Sequence, residues 1–329
     1  MTIRVVCYGL GPIGLGIARL VVSRPEYAVV GAIDIDSTKV GRDLGELLGD
    51  MPFGVKVHSD VSAVVAETRP DVVLHATGSV LSQVAPQLNE LLATGTNVIS
   101  TCEELSYPWT AQPQLAAELD AAARRRGVTL LGTGVNPGYV MDSLPLALTA
   151  PCVVVRSVRV TRIVDVAQRR VPLQRKVGVG ITRKEFAQRV QQGRIGHVGL
   201  PESLHMVATS LRWQLERFES SIEPVIAKSP FMTEMGRVEA GSVTGIHQTA
   251  RGFISGREVL FLDLWMYFDA PDPQDTIDID GDPPIRMSIE GGVPGDIATA
   301  AIVVNAIPSI LRATPGLGSM ADIPVVHFP

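Results

Sequence analysis

At 329 residues the chain is long enough for two domains, each burying its own core. A hydrophobic share of 46% with 19% charged residues excludes a disordered polymer, and a net charge of −5 with scattered Lys and Arg argues against nucleic acid as a partner. The longest apolar runs are broken by Pro or by charge, so no membrane span is expected.

Residues 4–8, Arg4-Val5-Val6-Cys7-Tyr8, predict a buried strand, followed by Gly9-Leu10-Gly11-Pro12-Ile13-Gly14 and a helix over 13–22. The glycines fall on the G-x-G-x-x-G spacing. The first allows a tight turn, the second lets backbone approach a pyrophosphate, and the third lets helix pack on strand. The helix start offers unpaired N–H groups to phosphate, and Pro12 loses nothing there by lacking one. A second strand, 27–33, ends at Asp34, about 20 residues beyond the glycines, where a ribose-binding carboxylate belongs. Gly9, Gly11, Pro12, Ile13, Gly14 and Asp34 therefore predict a dinucleotide site. Asp34 should repel a 2′-phosphate and favour NAD, while Lys39 and Arg42 soften that repulsion enough to leave NADP usable.

A short strand at 56–58 and a helix over 61–68 come next, then a continuous apolar strand, 71–75, ending in Ala76-Thr77-Gly78-Ser79. Small residues at that strand end, Thr77 and Gly78 among them, leave room for the cofactor. A helix over 80–94, a strand 97–100, a helix 112–126 and a strand 128–131 complete an alternation that predicts a doubly wound parallel sheet. Near Pro151 the pattern changes. A long strand at 152–163, helices at 183–192 and 201–216, and strand-like runs at 237–253, 258–268 and 276–289 predict a mostly antiparallel α+β domain. A final apolar helix spans 295–311. The expected domains are 1–149 for dinucleotide binding, 150–294 for substrate binding and dimerisation, and 295–329 as a helix and tail returning to the first domain.

The last two strands of the first domain run into polar turns, Ser100-Thr101-Cys102-Glu103-Glu104 and Gly132-Thr133-Gly134-Val135-Asn136-Pro137-Gly138. Both should emerge where a nicotinamide lies, which makes Thr101 and Asn136 further cofactor contacts. A carboxylate there can exchange protons with substrate or face a developing cation. Glu103 and Glu104 also suit a helix start, and the pattern alone leaves the two readings even. Cys7, Cys102 and Cys152 show no metal spacing and cannot all pair, so no metal is expected and a reducing cytoplasm is. The N-terminus enters the first strand directly, with no signal peptide in view.

Taken together, Gly9 to Gly14, Asp34-Ile35-Asp36 with Lys39-Val40-Gly41-Arg42-Asp43, Ser100 to Glu104 and Gly134-Val135-Asn136-Pro137-Gly138 form an ordered series. Pro172-Leu173-Gln174-Arg175-Lys176, Gly196-His197-Val198-Gly199 and Pro294-Gly295-Asp296 continue it through the second half. This series resembles the native amine dehydrogenases and the related 2,4-diaminopentanoate dehydrogenases over essentially the full length. The resemblance implies a dihydrodipicolinate-reductase-like architecture with a Rossmann domain, a homodimer, and a catalytic glutamate that maps onto Glu103. It also implies reductive amination of a small carbonyl with ammonia, and the reverse deamination of amines. The paired-histidine motif and Ser-Gly-Thr turn of true dihydrodipicolinate reductases are missing, which argues against that substrate.

Val140, Met141, Ile163, His197, Met206 and Thr299 are candidates for the substrate pocket, although Met141, Ile163 and Met206, like Trp265, fit a core role better. His205 and His247 fit structural roles better than catalytic ones, and Arg169, Arg170, Arg175 and Lys176 fit surface or interface. Val158, Val160 and Ile163 suggest an apolar pocket for short aliphatic ketones and aldehydes. Arg156, Arg159 and Arg162 alternate along the same strand, however, and one facing inward would suit a keto acid. A 2,4-diaminopentanoate dehydrogenase and a non-enzymatic dinucleotide sensor remain as alternatives.

Overall fold

The computed structural model describes residues 2–167 and 169–328. The chain divides into two units, Met1–Tyr139 with Pro294–Pro329, and Val140–Val293.

The first unit begins β1 (Ile3–Tyr8), α1 (Pro12–Val22), β2 (Tyr27–Ile33), α2 (Leu44–Leu48), β3 (Val57–His58), α3 (Val61–Thr68) and β4 (Val72–His75). It continues with α4 (Leu81–Ala93), β5 (Asn97–Ser100), a 3₁₀ turn (Glu103–Ser106), α5 (Pro113–Arg126) and β6 (Thr129–Gly132). Each strand and longer helix lies within one residue of its expected range. Val5, Val6, Val72, Val73, Val98, Ile99 and Leu130 are fully buried, because a parallel sheet is covered on both faces. Alanine-rich α5 stops at Gly127, whose left-handed backbone (φ 68°) closes the helix through N–H bonds to the carbonyls of Ala123 and Arg124.

The second unit contains α6 (Ser143–Leu148), β7 (Val154–Asp165), α7 (Val171–Lys176), α8 (Arg183–Gln191) and α9 (Leu200–Ser210). Then follow β8 (Arg217–Ile226), β9 (Phe231–Thr233), β10 (Gly236–Val238), β11 (Val243–Ile254), β12 (Arg257–Tyr267), β13 (Gln274–Asp282) and β14 (Ile285–Glu290). Its main sheet has the order β14-β13-β7-β12-β11-β8. Only the β7–β12 pair is parallel.

The differences from expectation have local causes. The run at 237–253 is two strands, because Gly241 takes a left-handed backbone (φ 88°) and β10 turns away to pair with β9. The run at 276–289 is the hairpin β13–β14. The helix expected to 216 ends at Ser210, and the chain re-enters the sheet as β8, an edge strand whose Glu219, Ser220, Ser221 and Glu223 hide its sheet role.

The chain then returns to the first unit as α10 (Gly295–Asn305), α11 (Ile307–Ile310) and β15 (Gly316–Gly318). Pro308 has no N–H to continue the ladder, so the expected 295–311 helix is broken at Ala306. α10 lies against α1. β15 adds a seventh strand too short and glycine-rich to read from sequence, giving the order β15-β6-β5-β4-β1-β2-β3, parallel throughout. The order reverses between β1 and β4, which puts the ligand crevice at their C-terminal ends.

Candidate active site

The β1–α1 turn has the shape a pyrophosphate needs. Gly9 has φ 87°, and a Cβ there would meet the Ala76 carbonyl and the Thr77 side chain. A Cβ on Gly14 would collide with the Gly9 carbonyl oxygen, so this glycine is fixed by helix-on-strand packing. A Cβ on Gly11 would meet nothing within 4 Å, and this open backbone is the face a phosphate can approach. Pro12 opens α1 and Ile13 follows it. The fold therefore suits the dinucleotide that the spacing implies.

Asp34, 8% exposed, does more than wait for a ribose. Its Oδ2 accepts from the Leu10 amide at 2.7 Å and from Lys39 Nζ at 3.1 Å, and its Oδ1 accepts from the Asp36 amide at 2.9 Å. Burial raises the carboxyl pKa, but the Asp36 and Leu10 amides and Lys39 outweigh it and hold the group below its usual range. Asp34 thus braces the glycine turn, and Lys39 cancels much of its charge. Arg42 pairs instead with Glu46 at 3.7 Å.

The neighbouring glutamates are held differently. Glu104 Oε2 accepts from the Leu81 amide at 2.7 Å and from Gln112 Nε2 at 2.7 Å. It therefore caps the first turn of α4 and ties it to the start of α5. Glu103 is the half-buried first residue of the 3₁₀ turn, and its carbonyl accepts from the Ser106 hydroxyl at 2.7 Å. Its turn leaves β5 beside Thr101, whose amide donates to the His75 carbonyl at 2.9 Å. Cys102 between them is buried, which pushes its thiol up to about 12 and leaves it unreactive.

Thr77 Oγ1 lies 2.8 Å from His75 Nε2 and donates to Gln87 Oε1 at 2.6 Å, while a Cβ on Gly78 would come within 3.2 Å of the Val84 side chain. Asn136 is buried in the turn after β6. Thr299, on α10, accepts from the Val135 amide at 3.3 Å and so supports that same turn. The His75 network escaped the sequence reading. Its signal was a polar residue ending each of two apolar strands, His75 on β4 and Ser100 on β5.

In the second unit Val140, Met141 and Met206 are buried. His197 is held by its backbone, its N–H donating to Gln248 Oε1 at 2.9 Å and its carbonyl accepting from Gln248 Nε2 at 3.0 Å. Strand alternation separates residues that the sequence reading grouped. Val158, Val160 and Arg162 share one face of β7 with Leu260, Leu262 and Leu264 of β12 and Gln248 of β11. Ile163 lies on the other face, beside Trp265 and Gln274. It is therefore not gathered with His197, whose partner Gln248 is on the first face. His247 belongs to the Ile163 face, bonded to Asp263 at 2.7 Å and stacked on Trp265 at 3.6 Å. His205 packs on Phe218, and burial lowers its pKa.

Each of the three strand arginines has an acidic partner. Arg156 pairs with Asp280 at 2.6 Å and Arg159 with Glu258 at 3.1 Å. Arg162 is buried, bonded to Asp275 at 2.8 Å and to the Val293 carbonyl at 2.7 Å. Among the described residues no group of three His, Cys, Asp or Glu side chains is placed to hold a metal, and no helix is long and apolar enough to cross a membrane.

A family model for the 2,4-diaminopentanoate dehydrogenase C-terminal domain matches residues 139–328, and one for the dihydrodipicolinate reductase N-terminus matches residues 3–102. A 2,4-diaminopentanoate dehydrogenase of Acetoanaerobium sticklandii is 33% identical over 335 residues, covering 98% of this chain and 94% of that protein. The chain belongs to the 2,4-diaminopentanoate dehydrogenase family. An amine dehydrogenase of Streptomyces virginiae is 26% identical over 348 residues, covering 98% of this chain and 96% of its own. The solved amine dehydrogenase of Mycobacterium smegmatis superposes with a TM-score of 0.89 at 28% identity, covering 100% of this chain and 98% of that one. The protein is thus an NAD(P)-dependent oxidoreductase of the class acting on CH–NH₂ donors, built on a Rossmann unit and a mixed-sheet unit.

Proposed function

We propose that the protein reductively aminates small aliphatic ketones or aldehydes with ammonia, and in reverse deaminates the corresponding amines, with Glu103 as the catalytic residue. The nicotinamide cofactor supplies the hydride. Glu103 takes a proton from ammonium, so that neutral ammonia adds to the carbonyl carbon. The protonated Glu103 then returns that proton to the carbinolamine hydroxyl, which leaves as water. The ionised carboxylate faces the resulting iminium cation until hydride arrives, an attraction far stronger in a water-poor site than in bulk solvent. The position of Glu103 at the end of β5, with Glu104 already committed to capping α4, supports this assignment.

The observation that carries the substrate class is the pairing of Arg156, Arg159 and Arg162 with Asp280, Glu258 and Asp275. A substrate carboxylate brought among these residues would compete with an existing acid, and one left unpaired would lose its hydration without replacement. The 33% identity to a 2,4-diaminopentanoate dehydrogenase supports a second reading, in which the carbonyl substrate is 2-amino-4-oxopentanoate. Turnover of cyclohexanone and pentan-2-one against 4-oxopentanoate and 2-amino-4-oxopentanoate, in ammonium buffer with NADH, separates the two. The simple ketones should be used efficiently; activity confined to the amino-ketoacid would replace this proposal with the second reading.

NAD is the proposed cofactor, with NADP also used because Lys39 sits against Asp34. The proposed contacts are Gly9, Gly11, Pro12, Ile13, Gly14, Asp34, Thr77, Gly78, Thr101 and Asn136. The family resemblance further supports a homodimer, for which light scattering should give twice the chain mass.

A further inference from the structure

His75 is fully buried at the end of β4, in register with Tyr8 of β1 and Ser100 of β5. Its ring meets Tyr8 edge-on with centroids 5.2 Å apart. Nδ1 lies 2.8 Å from Ser100 Oγ, and Nε2 lies 2.9 Å from Gln87 Oε1 and 2.8 Å from Thr77 Oγ1. Ser100 Oγ also accepts the Cys102 amide at 3.1 Å.

These contacts fix one tautomer. Gln87 Oε1 can only accept, so Nε2 carries the proton and Nδ1 accepts a hydrogen bond from the Ser100 hydroxyl. Burial lowers the His75 pKa to about 4, which keeps this neutral form at working pH. The ring thus orients two groups at once. Through Ser100 it holds the Cys102 amide, the last N–H before Glu103, and through Nε2 it holds the Thr77 hydroxyl on the loop after β4.

We infer that His75 is a positioning residue for amination, acting through Ser100 to set the turn that presents Glu103 and directly on the Thr77 loop. The inference rests on the reading of Glu103 as the catalytic residue. The hydrogen bonds of this buried network converge on the two turns that flank the crevice.

The test is steady-state amination with NADH by Ser100→Ala, His75→Leu, His75→Asn and the double variant Ser100→Ala/His75→Leu, with Glu103→Gln as reference and NADH binding measured by fluorescence. Ser100→Ala removes only one hydroxyl and keeps the proposal testable should His75→Leu fold poorly. It should lower kcat roughly ten- to hundredfold with KM for the carbonyl nearly unchanged, since a misplaced catalytic group costs rate rather than binding. His75→Asn, whose amide still meets Ser100, should recover part of what His75→Leu loses. The double variant should lose no more than the worse single one, as coupled residues do. A folded Ser100→Ala enzyme with near wild-type kcat, or losses that multiply in the double variant, would overturn the inference. Glu103→Gln near wild-type rate would instead overturn the assignment of Glu103 on which it rests.

Discussion

In the seven-stranded sheet of the first unit, the proposed site residues lie at the C-terminal edge of parallel strands buried on both faces. Gly9, Asp34, Thr77, Thr101, Glu103 and Asn136 all follow strand ends. In the six-stranded sheet of the second unit, the residues that matter sit within strands, and side alone decides their neighbours. Arg162 and Ile163 are adjacent in sequence yet face opposite ways, one into a buried ion pair and the other towards Trp265. A site made of strand ends is ordered along the chain, whereas a site made of strand faces depends on register, and a shift of one residue inverts it.

The largest stability effect should come from the face-built region. Burial pushes the Asp275 carboxyl above its usual range, and Arg162 and the Val293 amide oppose that shift. Arg162→Met leaves the acid buried without its cation and should cost about 3–5 kcal/mol by urea unfolding. Arg162→Met/Asp275→Leu should recover most of that loss, because an apolar pair carries no desolvation penalty. An equal loss in both variants would mean that the face is held by packing alone.

The edge-built region should show a pH signature. The folded pKa of His75, about 4, lies below its unfolded value of about 6.5, so the unfolded chain binds a proton that the native chain refuses. Stability from this residue is therefore complete above about pH 6.5 and lost as pH falls towards 4, by on the order of 3 kcal/mol. His205 shifts in the same direction, so the readout is the difference between wild type and His75→Asn across that range. Parallel pH curves for the two proteins would contradict the burial of a neutral ring.

Two smaller effects sharpen the same contrast. Glu104→Gln should cost about 1–2 kcal/mol through the α4 cap while leaving turnover nearly intact. Asp34→Ser should raise KM for NADH roughly tenfold and KM for NADPH less, because it removes both the proposed ribose acceptor and the brace on Leu10. A strong preference for NADPH in the wild type would show that Lys39 governs this corner more than Asp34.

How much the sequence could reveal follows from the same division. The glycine turn, Asp34 and the alternation of strands and helices were legible, since each depends on local spacing. β15, three residues long, carries no periodicity, and β8 reads as a polar stretch because an edge strand tolerates charge and Pro224. The split of Ile163 from Val158 and Val160 follows from strand alternation once β7 is taken as one strand, but its consequence needs Gln248, His197 and Trp265 placed by pairing. The structural role of Glu104 was beyond reach, because it rests on hydrogen bonds from Leu81 and Gln112 across the fold.

The assignment of Glu103 as the catalytic residue is tested by the rate of NADH oxidation with pentan-2-one and ammonium for Glu103→Gln and Glu104→Gln side by side. The rate should fall roughly 10²–10⁴-fold in Glu103→Gln with NADH affinity nearly unchanged, and should change only slightly in Glu104→Gln. Glu103→Gln turning over at close to the wild-type rate would contradict that assignment.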